Sequence, residues 1–454
     1  MQFPIYEVPY LGNGMTIALD AVLHVIISHG LAIGAITLIV LSEYFGFRKT
    51  SKDWENFAKN FLKVTIIVIT GIGAVTGVGI WLITSALAPT GIGSMLRIFF
   101  WPWFIEWIVF TLEVVVLLIY YFTWDKWSGE RKKQHIYLGV SYIILSVSSA
   151  FLITGILGFM LTSDGWPWDK IFLSAFFNPS FLPQLFLRAA LAFALGALFS
   201  MAFLLITHHV NVFRKEALRL FGKVFFVSFA AMVVFTFWYF AVVPTTFKTH
   251  AIVSILTPGF SQQPEIFYAI NAIGAFILFL IALLAIKGSV SFSKILIVPA
   301  LLFCMGFVTE FERVREFIRG PYLMPGYMYA NQVLLNESLF LEKDSMLKND
   351  YWYYAITDKP DIINQGASLF GRNCSACHTI GGINSIQDAV KGRSEDGIFV
   401  ILNHTHEMVP FMPPFSGTDQ ERQIMSRFLY QLANGKITIK APSRFAPIKE
   451  DEKK

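Results

Sequence analysis

Apolar positions along this chain come in long unbroken runs, not in the alternation of a sheet or the one-sided stripe of a soluble helix. Eight runs, at roughly 16–45, 57–87, 98–123, 136–161, 184–208, 223–243, 265–286 and 295–312, carry this pattern. Each is near or above the ~20 residues that a helix needs to cross the hydrocarbon core of a bilayer. Beyond about Leu323 the pattern breaks, and the chain turns polar and tyrosine-rich to Pro360. From about Asp361 to Gly435 helical periodicity returns in a shorter, soluble form. Thr418 and Glu421 make a capping box. Ile424, Met425, Phe428 and Leu432 then supply one apolar face, and Gly435 stops the helix. The predicted fold is all-α: a polytopic transmembrane helix bundle of about eight spans with a small all-α C-terminal domain. The divisions expected are 1–322 for the bundle, 323–360 for an outer-surface linker, 361–440 for the small domain and 441–454 for a charged tail.

Composition agrees. The chain is 55% hydrophobic and 16% aromatic, with 45 Phe in 454 residues, which only a bilayer can solvate economically. Met1 to Met15 lacks the basic start and small-residue ending of a cleavable signal peptide. The net charge of +5 is mostly a topology signal. Loops after spans one, three, five and seven carry Arg48, Lys49, Lys52 and Lys59; Lys126, Arg131, Lys132 and Lys133; Arg214, Lys215, Arg219 and Lys223; and Lys287 with Lys294. The opposite loops offer little beyond Arg97, Lys170 and Lys248. Odd-numbered loops are therefore cytoplasmic and both termini lie outside. Nucleic-acid binding has no support. The run Gly71, Gly73, Gly77 and Gly79 sits inside an apolar span, where close helix packing explains it better than phosphate binding.

Cys374-Ser-Ala-Cys377-His378 is the attachment signature of a c-type haem. Two thiols three positions apart can each form a thioether to a vinyl group of one porphyrin, and the adjacent histidine can ligate the iron. Attachment occurs outside the cytoplasm, which agrees with the end delivered by the charge pattern. With Gly366 and Leu369-Phe370 ahead of this motif, the segment resembles class I cytochromes c. That resemblance matches Met412, in Met-Pro-Pro-Phe, to the second iron ligand. A soft thioether favours reduced iron and raises the potential. Met408, His404 and His406 are alternative ligands.

Ionisable residues inside a membrane are costly and mark function. His24 lies about two turns inside the outer end of span one, Glu106 at similar depth in span three, and Glu310 near the outer end of span eight, at ~1.5 Å rise per residue. His29 is slightly deeper and either ligates a haem or lines a proton path. Asp20 shares a face with His24, to orient it or to sit among headgroups. Arg188 either holds a haem propionate or pairs with Glu310, with a subunit interface as the other reading. His208 and His209 sit at the cytoplasmic end of span five, Cys304 reads as a small apolar residue, and Glu312, Arg313, Arg315 and Glu316 read as an outer-surface ion network.

His24, Thr76-Gly77, Glu106, Glu113, Asn178-Pro179 and Arg319-Gly-Pro-Tyr322 together resemble subunit I of cytochrome bd quinol oxidases, over most of residues 16–322. The resemblance implies His24 and Glu310 as ligands of haems near the outer surface, where oxygen is reduced, and Glu106 or Glu113 as a ligand or proton carrier. It also implies one or more b- or d-type haems beside the covalent haem c, and a second membrane subunit. Two departures matter. The family's low-spin haem histidine falls at Phe186-Leu187-Arg188, and its methionine partner at Ile270-Asn271-Ala272. The loop from about Pro244 to Glu265 is also short for quinol binding.

The expected function is membrane-bound respiratory electron transfer between a periplasmic c-type haem and haems of a bd-like bundle, with oxygen reduction at the His24 region. The competing reading is a quinone-linked electron-transfer subunit, or a membrane anchor for a periplasmic oxidoreductase, with no oxygen reduction. Expected surroundings are the bilayer of a bacterial or archaeal cytoplasmic membrane and a periplasmic redox protein or cytochrome.

Overall fold

The computed structural model describes residues 5–163, 165–166, 170–207, 212–250, 263–350 and 362–437. His208, His209, the charged tail and most of the expected quinol-loop region lie outside these. Eight described helices are long and apolar enough to span a membrane. They are α1 (Asn13–Lys49), α2 (Lys52–Leu87) and α3 (Phe100–Phe122); α4 (Lys132–Phe159) and α5 (Phe181–Thr207); then α6 (Val212–Val242), α7 (Pro264–Lys287) and α8 (Val290–Phe317). Most overrun the expected spans at their ends. A span is bounded by lipid, whereas backbone hydrogen bonding continues through Arg48 and Lys49 into water.

An even number of crossings brings the start of α1 and the end of α8 to one end of the bundle. Helices α1 and α5 form its interior, with 78% and 67% of their most apolar windows buried, against 17% for α3 and α6. Their contact is backbone on backbone. A Cβ on Gly34 would lie 2.0 Å from the Ala192 carbonyl oxygen, and one on Gly196 would lie 2.3 Å from the Gly34 carbonyl carbon. Around this crossing α1 is wound as a π-helix over Ser28–Ala35, and α2 over Ile69–Gly73. Such segments redirect carbonyls and concentrate at functional sites. At the far end, Lys49 pairs with Glu216, and Lys59 reaches Asp125 at 2.6 Å.

After α8 a short hairpin pairs β1 (Tyr322–Met324) with β2 (Met328–Tyr329). Gln332 Oε1 then accepts the amides of Thr90 and Gly91 at 3.1 and 3.2 Å. This caps the start of the short helix Pro89–Ile98 and ties the segment to the bundle.

A separate core holds the C-terminal domain. It is built on α9 (Leu335–Asp344), α10 (Ile362–Asn373), α11 (Glu395–Asn403) and α12 (Asp419–Ala433). Helices α10 and α12 cross where a Cβ on Gly366 would stand 2.4 Å from the Phe428 Cβ. The expected capping box is formed at Thr418 and Glu421, and Met425, Phe428 and Leu432 are buried as anticipated. The stretch read as a linker is partly folded, since Val333, Leu341, Met346 and Leu347 enter this core. Glu421 explains part of it. Besides capping α12, its carboxylate accepts Ser345 Oγ and the Leu347 amide, both at 2.7 Å. It therefore caps the short helix Met346–Asn349 as well.

Candidate haem sites

Helix α10 ends directly at the motif. The amides of Cys374 and His378 donate to Phe370 and Cys374 carbonyls at 2.8 Å, which winds Cys374–His378 into a tight turn. His378 Nδ1 donates to the Asn384 carbonyl at 3.1 Å, and Asn384 Nδ2 returns a bond to the Cys377 carbonyl at 2.7 Å. That arrangement leaves Nε2 with its lone pair, the form in which histidine binds a metal. Burial also holds the imidazole below its ordinary pKa, which favours the neutral ring. The residues therefore fit an iron held from the His378 side.

The four alternative second ligands differ in exposure. His404 is paired with Glu407 at 2.8 Å in solvent, His406 is exposed, and Met408 is 55% exposed. Met412 is half-buried, in a loop held by Thr405 Oγ1 donating to the Pro413 carbonyl at 2.9 Å.

In the bundle, His24 lies between α1 and α2. Its Nδ1 is 3.2 Å from both the Gly73 carbonyl and Thr76 Oγ1, at the end of the π segment of α2. Thr76 Oγ1 itself donates back to the Ile72 and Gly73 carbonyls, so the histidine supplies the Nδ1 proton. Nε2 is again left as an acceptor. A Cβ on Gly77 would come within 3.0 Å of His24 Cε1, so the ring rests on bare backbone. Two carboxylate atoms, Asp20 Oδ2 and Glu310 Oε1, are buried without a hydrogen-bond partner. The preset imidazole of His24 suits the donor chemistry of a haem iron.

Arg188 does not pair with Glu310. Its Nη2 donates to Glu312 Oε1 at 2.7 Å, and Nη1 approaches His29 Nε2 at 3.4 Å. Arg315 Nε takes the other oxygen of Glu312 at 2.9 Å. The expected outer-surface network is thus largely internal: Arg188, Glu312 and Arg319 are buried and Arg315 is nearly so, while Glu316 keeps an exposed side and pairs with Arg319. The reason is helical spacing. Glu312 and Arg315 fall on the stripe of α8 that continues Cys304 and Val308, both buried, and Arg319 follows just past the helix end.

Glu106 and Glu113 lie along the seam between α3 and α4. Ser149 Oγ donates to Glu106 Oε1 at 2.9 Å, and Glu113 faces Tyr142 and Ser146. Seven residues separate the two carboxylates, about 10 Å along the helix. Toward the far end of the same seam sits a group that sequence reading missed. Glu43 is fully buried and accepts Tyr120 Oη at 2.5 Å, His135 at 2.6 Å and Lys132 Nζ at 2.6 Å. A lone glutamate near the end of an apolar run was its available signal.

Comparison with known proteins agrees with both parts of this architecture. Residues 14–245 match the family model for cytochrome bd terminal oxidase subunit I. Residues 361–429 match the model for cytochrome c oxidase, cbb3-type, subunit III. No curated protein matches. Among solved structures the chain is similar in fold to the bd oxidase from Geobacillus thermodenitrificans, at TM-score 0.57 and 20% identity, over 70% of this chain and 90% of that one.

Proposed function

Because the chain belongs to the cytochrome bd terminal oxidase subunit I family and carries a cytochrome c domain on the same polypeptide, we propose that it is a respiratory oxidase subunit fed through haem c. Cys374, Cys377 and His378 would hold the haem c that receives electrons, and His24 would hold a haem in the bundle that supplies the oxygen chemistry. The observation that carries this reading is the contact of His24 Nδ1 with the Gly73 carbonyl at 3.2 Å, which leaves Nε2 with its lone pair for a ligand.

When bound, haem iron supplies reversible one-electron storage and a place for oxygen to bind. The chain's own residues supply the rest. Glu310, with an unpartnered buried oxygen near the end of α8, is a further carboxylate available as a ligand. Reducing oxygen to water consumes protons, and the α3–α4 seam offers carriers for them at Glu113, Ser146, Ser149 and Glu106. The basic residues at the bundle end opposite the cytochrome domain support placing that domain on the periplasmic side of a cytoplasmic membrane. Arg188, in the stretch Phe186–Arg188 where the resemblance puts a histidine for a low-spin haem, is instead committed to Glu312. This favours cytochrome c over quinol as the donor.

The test is oxygen uptake by the purified protein with ascorbate as reductant, alongside pyridine haemochrome analysis. Uptake together with b- or d-type haem in addition to haem c is the expected result, and Glu113→Gln should slow it. Haem c alone would sink the reading, and quinol-driven reduction of haem c without oxygen uptake would favour the quinone-linked alternative.

A further inference from the structure

The cytochrome domain rests on the bundle through the surface that carries its haem-attachment cysteines. On the α1 side, a Cβ on Gly14 would lie 3.1 Å from the carbonyl oxygen of Ala376, which sits between the two cysteines. A Cβ on Gly12 would lie 3.0 Å from Thr379 Cγ2. The Ile383 amide donates to the Tyr10 carbonyl at 2.6 Å, and a Cβ on Gly382 would meet the Tyr10 backbone at 2.1 Å. On the α8 side, a Cβ on Gly320 would lie 2.3 Å from the Phe411 Cβ, and the Phe411 ring stands edge-on to Phe317 at 6.4 Å. The neighbours of both iron-ligand candidates, Thr379 beside His378 and Phe411 beside Met412, are thus contact residues.

Thioether bonds can form only at Cys374 and Cys377, so the vinyl-derived edge of the porphyrin is the edge nearest this seat. We infer that this edge is the electron port into the bundle, and that transfer occurs from the seated position without a swing of the domain. The inference rests on the proposed function, since it needs an acceptor haem in the bundle. In the step itself one electron leaves ferrous haem c and reduces a ferric haem of the bundle. Haem c is left ferric until a reduced one-electron donor restores it, and no atom is transferred.

Wedges at the seat test this in the full-length protein. Gly320→Leu and Gly382→Leu each force side-chain atoms into the contact, from its α8 side and its α1 side respectively. Gly306→Leu, on α8 with nothing within 4 Å of its Cβ position, is the control. Rapid-mixing spectroscopy would follow oxidation of pre-reduced haem c by the bundle, with haem content and the reduction of haem c by ascorbate recorded in parallel. The expected result is loss of haem c oxidation in both wedge variants, with haem content and ascorbate reduction retained, and wild-type behaviour in Gly306→Leu. Should one wedge lose its haem, the other carries the test alone. Wild-type transfer in a wedge variant that keeps its haems would overturn the port. Absence of any bundle haem from the wild type would instead overturn the proposed function.

Discussion

Arg188 on α5 and Glu312 on α8 meet at 2.7 Å in the interior, and Arg315 holds the second oxygen of the same carboxylate. Removing one partner from such a group leaves uncompensated buried charge. Glu312→Gln should therefore destabilise the bundle by about 3–5 kcal/mol, seen as a lowered midpoint of thermal unfolding in detergent. A change within error would mean that water reaches the site freely.

His24→Ala should remove haem from the bundle while leaving haem c intact, since the two sites share no residue. Gly77→Leu should act in the same direction, because its side chain would press on His24 Cε1 from 3.0 Å. Haem extraction followed by pyridine haemochrome analysis reads both variants. Loss of haem c in either one would show that the two sites are not independent.

Replacing the second iron ligand has a distinct signature. Met412→Ala should lower the haem c midpoint by more than ~59 mV, a tenfold change in the reduction equilibrium, and abolish the weak sulfur-to-iron band. Met408→Ala should change neither, because that side chain is 55% exposed. The reverse pattern in a redox titration would reassign the ligand.

Within the cytochrome domain the α10–α12 crossing has no spare room. Gly366→Val should cost about 1–3 kcal/mol by overpacking against Phe428, and Thr418→Ala about 0.5–2 kcal/mol by removing the cap of α12. Chemical denaturation followed at the haem c Soret band measures each.

Much of this architecture is legible in sequence because its causes are local. Spans announce themselves by length of apolar run, and α12 by its cap, its stripe and Gly435. The haem c site needs only five consecutive residues. What sequence does not yield is pairing across helices. Arg188 meets Glu312 and not Glu310 because α8 turns a particular stripe inward, and no local pattern gives the rotation of a helix whose faces are all apolar. Glu43 escaped notice for the same reason, since Tyr120, Lys132 and His135 come to it from α3 and α4. The seat of the cytochrome domain is further still from the sequence, resting on bare glycine backbone at Gly12, Gly14, Gly320 and Gly382.

Glu421 joins two helix starts of the cytochrome domain through one carboxylate. The carboxylate that starts α12 also holds Ser345 and the first amides of the helix Met346–Asn349, so residues 345–349 are reeled into the domain and cannot slacken while α12 is intact. Only the short path from the β1–β2 hairpin to α9 is left to join the bundle to that core. The reach of the haem is thus set by the folding of the domain that carries it. Loosening that one side chain would free residues 345–349 alone, while α9 stays anchored through Leu341 and through Ser338 Oγ at 2.8 Å from Ser416 Oγ.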